Sequence, residues 1–381
     1  MSGTSAEAPL AGLRVVELAR ILAGPWCGQL LADLGAEVIK VEAPEGDDTR
    51  RWGPPFLGEA AAYFHGTNRG KKSAVCDLKD PAQREALLRL IDGADVLIEN
   101  FKVGGLTKYG LDYATLSRRV PGLVYCSITG FGQDGPYADR AGYDFIIQGM
   151  SGLMSVTGEP DGQPMKVGVA VTDILTGLYA ANAIQAALIQ RGRTGRGQHI
   201  DMSLLDVAVA ATANQAMNYL ATGVPPGRLG NDHPNIAPYR VFDCADGHVI
   251  LAVGNDRQFA ALCGLLGCPE IADDPRFATN PARLAHRAEL TEALTARTLT
   301  WDRDALLAAC AEAGVPAGPI NDMADVFADP QVIARGLAIG PKDKPGVRVP
   351  IRMSGAPVGH PDPAPDLGTA ALRWSDEDER G

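Results

Sequence analysis

One aspartate carries the most specific chemistry this sequence offers. Asp173 closes the apolar run Gly168-Val-Ala-Val-Thr172 and opens the small-residue helical pattern Ile174-Leu-Thr-Gly-Leu-Tyr-Ala-Ala-Asn-Ala183. This puts a carboxylate at a strand-to-helix junction. A helix N-terminus offers free N–H groups and a positive dipole end, so a carboxylate there stays ionised, which suits a nucleophile. On Asp173 alone, however, the ordinary expectation is a helix cap. The surrounding motifs reverse that preference.

The elements that must position Asp173 alternate along the chain. Residues 13–18, 36–42, 95–99 and 123–129 are short apolar runs that read as strands, and residues 25–34 and 81–91 read as helices between them. Such runs separated by helical patterns indicate a parallel sheet buried on both faces. Right-handed crossovers then give a doubly wound, Rossmann-like α/β layer structure. The first turn, Ala19-Arg-Ile-Leu-Ala-Gly-Pro25, lacks the GxGxxG fingerprint, which disfavours a nicotinamide enzyme, and no Walker A sequence occurs.

Residues 173–190 form a long helical pattern ending in Arg191-Gly-Arg-Thr-Gly-Arg-Gly197, a basic, glycine-containing helix end. Residues 198–202 read as a strand and 203–222 as one Ala-rich helix. The breaker Gly223-Val-Pro-Pro-Gly-Arg-Leu-Gly-Asn231 is the best domain linker. The expected organisation is a large domain over 1–222, a linker over 223–235, a smaller domain over 236–330, and an extended segment over 331–381. The smaller unit has a strand at 248–253 and helices at 256–266 and 302–313.

Composition bounds the function. The 381 residues are 46% hydrophobic with net charge −11, which allows a large core and opposes nonspecific nucleic-acid binding. Seven scattered cysteines form no zinc or disulfide framework, and reduced buried thiols in a cytoplasmic protein are expected. No apolar run approaches ~18 residues, so no membrane span is expected. The start, Met1-Ser-Gly-Thr-Ser-Ala-Glu-Ala-Pro9, does not read as a signal peptide.

Six stretches together carry a family resemblance. They are Val15-Val-Glu-Leu-Ala-Arg-Ile-Leu-Ala-Gly-Pro25, Gly35-Ala-Glu-Val-Ile-Lys-Val-Glu42, Asn68-Arg-Gly-Lys-Lys-Ser73, Val96-Leu-Ile-Glu-Asn-Phe101, Ser127-Ile-Thr-Gly-Phe-Gly132 and Thr194-Gly-Arg-Gly-Gln198. In this order and spacing the chain resembles the class III CoA-transferases, the family of formyl-CoA transferase and carnitine CoA-transferase. The resemblance runs from about Leu10 to Pro357. It implies CoA transfer between an acyl-CoA and a carboxylic acid, through an aspartyl anhydride and an aspartyl-CoA thioester, with Asp173 as nucleophile. It also implies a large Rossmann-like domain, a smaller α/β domain, a C-terminal return to the large domain, and an interlocked ring-like homodimer.

The resemblance also implies a CoA site. Arg20, Ile21, Leu22 and Ala23 match the family's CoA-contacting turn, and Cys76, Lys79, Asn100, Phe101, Lys108 and Leu204 fall on further contact positions. Lys108 stands where the family has arginine and keeps the charge without the bidentate fork. Ala43 stands where the family has an adenine-side arginine. Arg20 and Leu22 replace the histidine and glutamine of formyl-CoA transferase, which removes the motif for formyl or oxalate chemistry.

Tyr143 and Asp144 complete the implied catalytic group. The related α-methylacyl-CoA racemases carry histidine at the Tyr143 position and use it for proton transfer. A tyrosine, with a free pKa of about 10, is no comparable base near neutral pH. A buried Tyr143 with a satisfied hydroxyl is the structural alternative. Asp144 matches an acidic position beside the nucleophile. Gly254, Asn255 and Asp256 fall on a mobile active-site loop, for which a plain strand–helix turn capped by Asp256 is the alternative. His233 recurs in dicarboxylate-using relatives and equally suits a structural role.

The expected enzyme therefore takes CoA and acyl-CoA as substrates, holds no permanent cofactor or metal, and acts without nucleic acid or membrane. The polar stretch 255–258 points to succinyl-CoA with a dicarboxylate or aromatic acid. An acyl-CoA racemase or epimerase and a noncatalytic CoA-binding module are the rival functions.

Overall fold

A computed structural model describes residues 7–375. The chain divides into two compact units. The first takes the residues through Leu153, Lys166–Thr222 and the segment from Pro330; the second takes Met154–Met165 and Gly223–Asp329. Residues 154–165, expected in the large domain, thus belong with the second unit.

The first unit is built on six strands: β1 (Arg14–Glu17), β2 (Glu37–Glu42), β3 (Lys72–Val75), β4 (Val96–Glu99), β5 (Val124–Thr129) and β6 (His199–Ser203). All pair in parallel in the order β3-β2-β1-β4-β5-β6, with Val15 opposite both Val38 and Val96. Strand order reverses between β1 and β4. In open α/β sheets a ligand crevice lies at that switch point, outside the carboxyl ends of the strands. The two chains leaving it are residues 18–22 and 100–105.

Both faces are covered, as the uninterrupted apolar runs require. Val15, Val96, Ile98 and Val124 pack on one face with Leu31 of the helix Ala23–Asp33 and Ile184 of the helix Val171–Thr194. Val16, Ile39 and Leu97 pack on the other with Leu87 and Ile91 of the helix Pro81–Asp92. Each fully buried aliphatic side chain is worth roughly 1.5–3 kcal/mol of transfer free energy. The helix Pro81–Asp92 starts where Asp80 accepts the Ala82 N–H at 2.8 Å and Pro81 needs no donor.

Several elements differ from the sequence expectation: the strand β3 (Lys72–Val75) and the second unit's strands Tyr239–Cys244 and Ala317–Pro319 were not expected. No strand precedes Asp173; the helix already begins at Val171. The Ala-rich segment is two helices, Leu204–Ala211 and Ala213–Thr222, broken where Ala213 takes φ 43°. Thr212 and Asn214 flank the junction, but such residues are common within helices and do not by themselves mark a break.

The C-terminal segment is fastened to the first unit. Arg69 Nη1 donates to Val347 O at 2.6 Å, Arg50 Nη1 to Pro365 O at 3.2 Å, and the buried Trp374 indole to Leu90 O at 3.0 Å. The second unit has a three-stranded antiparallel sheet of β7 (Tyr239–Cys244), β8 (Gly247–Ala252) and β9 (Ala317–Pro319), with β8 in the middle. Phe242, Leu251, Phe259, Leu262, Leu294 and Leu306 form its separate core. All seven cysteines are free and buried. No helix among the described residues is long and apolar enough to cross a membrane.

Candidate active site

Asp173 stands in the first turn of the helix Val171–Thr194 but does not cap it. The cap position is Ala170, which has no side chain to offer. Asp144 supplies the acceptor instead: its Oδ1 takes the Thr172 N–H at 2.9 Å and the Thr172 hydroxyl at 2.6 Å. Asp144 Oδ2 is held by Gln148 Nε2 at 2.7 Å. The Asp173 carboxylate accepts no hydrogen bond among the described residues. A half-buried carboxylate with its acceptors unused is available for chemistry.

Its charge state corrects the sequence expectation. Burial, reinforced by the negative charge of Asp144, pushes the Asp173 carboxyl up to about 7. The helix N-terminus favours the anion, but desolvation outweighs it because no N–H bonds the carboxylate directly. Tyr63 lies within the same field. Burial, with the charges of Asp173, Asp144 and Asp47, pushes its phenol up to about 12, so it keeps its proton.

Asp173 lines a cavity of about 420 Å³ at the sheet's switch point. The turn Arg20, Ile21, Leu22 and Ala23 forms one wall, and Asn100, Phe101 and Lys108 form another. Leu204 and Tyr143 also line it. Tyr143 is 59% exposed, which removes the buried-tyrosine alternative. Asp144 does not line the cavity; its carboxylate bonds Thr172, the residue before Asp173.

Cys76, Lys79 and Ala43 line an adjoining cavity of about 320 Å³, which shares Arg20, Phe101 and Tyr109 with the first. Cys76 is a buried thiol pushed up to about 11 by desolvation, so it contributes surface and not a nucleophile. Lys79 and Lys108 are exposed ammonium groups without a carboxylate partner among the described residues.

Close backbone approach sets these positions. A Cβ on Gly177, one turn beyond Asp173, would sit 2.7 Å from Ala23 O and 3.0 Å from the Trp26 side chain. Glycine there lets the helix that carries Asp173 pack directly on the helix that follows the Arg20–Ala23 wall. Likewise a Cβ on Gly142 would meet Gly130 Cα at 2.5 Å, so glycine at both positions brings Tyr143 and Asp144 up to the end of β5.

Gly254, Asn255 and Asp256 lie in the second unit. They form an ordered turn: Gly254 N–H donates to Gln258 Oε1 at 2.9 Å, and Asn255 Oδ1 caps the helix Asp256–Leu265 by accepting Gln258 N–H at 3.0 Å. The cap is therefore Asn255, not Asp256, which instead pairs with the buried Arg283 at 2.7 Å. His233 Nδ1 accepts the Asn235 N–H at 3.1 Å, and its ring lies 5.2 Å from that of Tyr239, as in its structural reading.

Sequence reasoning missed Tyr63, Arg140 and the buried acid–base group beneath the first turn. Arg140 lines the Asp173 cavity, with its guanidinium 3.9 Å over the Tyr137 ring. Tyr63 and Arg140 sit in segments without a motif of their own. Lys40 and Glu42 lay inside a quoted motif and read only as strand residues.

A doubly wound α/β fold with an unpartnered carboxylate at its switch-point cavity is the frame of an acyl-transferring enzyme. The family model of CoA-transferase family III matches residues 10–370, and the chain belongs to that family. Its activity is the movement of coenzyme A between an acyl-CoA and a carboxylic acid. It is 61% identical over 372 residues to a succinate–glutarate CoA-transferase of Agrobacterium fabrum, covering 94% of this chain and 93% of that one. A succinyl-CoA:glutarate CoA-transferase of Mus musculus is 44% identical over 368 residues, covering 94% and 84%. The crystal structure of a CAIB/BAIF family protein from Brucella suis superposes with TM-score 0.86 at 61% identity, covering 95% of this chain and 97% of that one.

Proposed function

We propose that this enzyme moves CoA from succinyl-CoA to a dicarboxylic acid such as glutarate, with Asp173 as the covalent carrier. The observation that carries the carrier role is the Asp173 carboxylate, unpartnered and lining the switch-point cavity. The substrate pair is supported by the two relatives above, which are named as succinate–glutarate and succinyl-CoA:glutarate CoA-transferases.

A carboxylate oxygen of Asp173 adds to the donor's thioester carbonyl. Collapse breaks the C–S bond and gives an acyl-aspartyl anhydride and CoA thiolate. The thiolate attacks the aspartyl carbonyl of the anhydride, which releases the donor acid as its carboxylate and leaves an aspartyl-CoA thioester. The acceptor carboxylate attacks that thioester and expels the thiolate. The thiolate then takes the acceptor's acyl group from the new anhydride, restoring Asp173. Each leaving group departs as an anion, so no general acid is needed.

CoA lies in this reading along Arg20–Ala23, Asn100 and Phe101, with Leu204 as apolar surface and Cys76 at the adjoining cavity. Lys79 and Lys108 face its phosphates as point charges. Tyr143 contacts the acyl end, and Asp144 positions Asp173. Gly254, Asn255 and Asp256 stand at the family's active-site loop position. The enzyme holds no permanent cofactor, works in the cytoplasm and forms an interlocked homodimer. An exposed apolar helix supports the dimer: Ala213–Thr222 has no buried residue and leaves Met217 61% and Leu220 72% exposed.

The test is an exchange assay with succinyl-CoA and a panel of mono- and dicarboxylic acids, followed by mass. Glutaryl-CoA should form fastest. Borohydride added with succinyl-CoA alone should reduce an aspartyl thioester, and peptide mapping should find the altered side chain at residue 173. Turnover without any modification there would remove the covalent reading.

A further inference from the structure

The turn that walls the Asp173 cavity is held from beneath by charge. Ile21 has φ 73°, in the left-handed region that β-branched residues avoid. Polar side chains grip the backbone around it. Asp47 accepts the Ile21 N–H at 3.2 Å through Oδ2 and at 3.3 Å through Oδ1. Lys40 Nζ donates to Ala19 O at 2.8 Å. Asn100 brackets Arg20, accepting its N–H at 2.9 Å and donating to its carbonyl at 2.7 Å.

Asp47 and Lys40 are themselves fully buried and paired at 2.9 Å. Around them Glu17 pairs with Lys40 at 3.1 Å and with Lys71 at 2.8 Å, while Glu42 takes Arg50 at 2.7 Å and the Asp47 N–H at 2.8 Å. Thr49 donates its hydroxyl to Asp47 Oδ1 at 2.8 Å and its N–H to the same oxygen at 3.0 Å. The group balances three carboxylates against three cations. A dry ion cluster of this kind is weak evidence for stability, because desolvation offsets most of the attraction. Its distinctive product is the shape of the turn: two of its members bond the turn's backbone directly.

We propose that Asp47, fixed by Lys40, is a positioning residue that holds the turn of residues 19–22 in the shape that receives CoA. Asp47 does not line the cavity and acts through the Ile21 N–H. Lys40 works on the same turn from the Ala19 carbonyl. The turn lines the same cavity as Asp173, so its shape sets the register of the bound thioester against the nucleophile. The inference rests on the reading that this turn contacts CoA.

Asp47→Asn keeps an oxygen acceptor for Ile21 but removes one of the two carboxylates paired with Lys40, leaving Glu17. It should raise the Kd of free CoA and the KM for acyl-CoA about tenfold, with kcat at saturation and the KM for the acceptor acid changed less than about threefold. Glycine adopts φ 73° without strain. In an Ile21→Gly background the Asp47→Asn penalty on KM should therefore shrink to less than about threefold, a coupling that a merely structural role would not produce. Thr49→Val keeps the ion pair and removes one hydrogen bond to Asp47. It should raise the same KM about two- to threefold, and it serves where Asp47→Asn does not fold.

An equal penalty in both backgrounds, or an unchanged KM in Thr49→Val, would overturn the positioning role. Leu22→Ala separates the two layers. If Leu22→Ala weakens CoA binding and the Asp47 and Thr49 variants do not, the turn is a CoA contact and only the positioning role fails. If Leu22→Ala leaves CoA affinity unchanged, the turn is not a CoA contact and both fall.

Discussion

Asp144 accepts the Thr172 N–H at the start of the helix that carries Asp173, while the Asp173 carboxylate accepts none among the described residues. One carboxylate thus satisfies the helix terminus and leaves its neighbour unpartnered at the cavity wall. The cost is burial of the Asp173 carboxyl, with repulsion from Asp144 added to it, and it appears as the raised Asp173 carboxyl. Active sites commonly keep such groups at the expense of stability.

Replacing Asp173 by Asn should separate activity from stability. Turnover should fall by at least about 10⁴-fold, since an amide is no comparable nucleophile. CoA affinity should stay within about threefold. Above pH 7 the variant should be more stable than the wild type, by on the order of 2 kcal/mol, because it no longer buries a forming charge. Chemical denaturation at pH 8, read beside the rate, checks both halves.

The pH profile should report Asp173. The anion is the nucleophile, so kcat/KM for acyl-CoA should rise with unit slope as pH increases to about 7 and level off above it. For stability the sign is opposite. A folded-state value raised above the unfolded one makes a contribution that is complete below about 4 and is lost as pH rises through about 7. Asp144→Asn keeps an acceptor for Thr172 but removes the like charge, so it should move the kinetic midpoint to lower pH. A midpoint that stays put would show that burial acts alone.

Lys79→Ala and Lys108→Ala should each raise the Kd of CoA by about three- to tenfold, with a smaller change in kcat at saturating substrate. Both are exposed and lack carboxylate partners among the described residues. Wild-type CoA affinity should weaken with added salt, and the slope should be shallower in each variant. Calorimetric titration at two ionic strengths measures this directly.

Transfer needs no proton at the α-carbon, whereas racemisation does. Incubation of a 2-methylacyl-CoA with the enzyme in heavy water should therefore leave that carbon unlabelled above background. Tyr143 is 59% exposed, and no histidine lines the Asp173 cavity among the described residues. Enzyme-dependent deuterium uptake lost in Asp173→Asn would assign racemase chemistry to the site.

The sequence by itself determined the parallel-sheet class, the strands β1, β2, β4, β5 and β6 and the helices Ala23–Asp33 and Pro81–Asp92, and it singled out Asp173; it did not mark β3, β7 or β9. Apolar runs such as Val96–Glu99 report burial along one element, and that pattern is local. The tertiary structure decided how hydrogen bonds and charges are shared, because the partners are far apart in the chain. Asp144 and Thr172 are 28 residues apart, and Arg20 and Asn100 are 80 apart. The strand order that brings residues 18–22 and 100–105 to one cavity is likewise a property of the sheet. The break at Ala213 had no local mark, and the role of Lys40 beneath the first turn was hidden in a strand motif. Periodicity reveals which side chains leave water, and only the packed chain settles which partners they then meet.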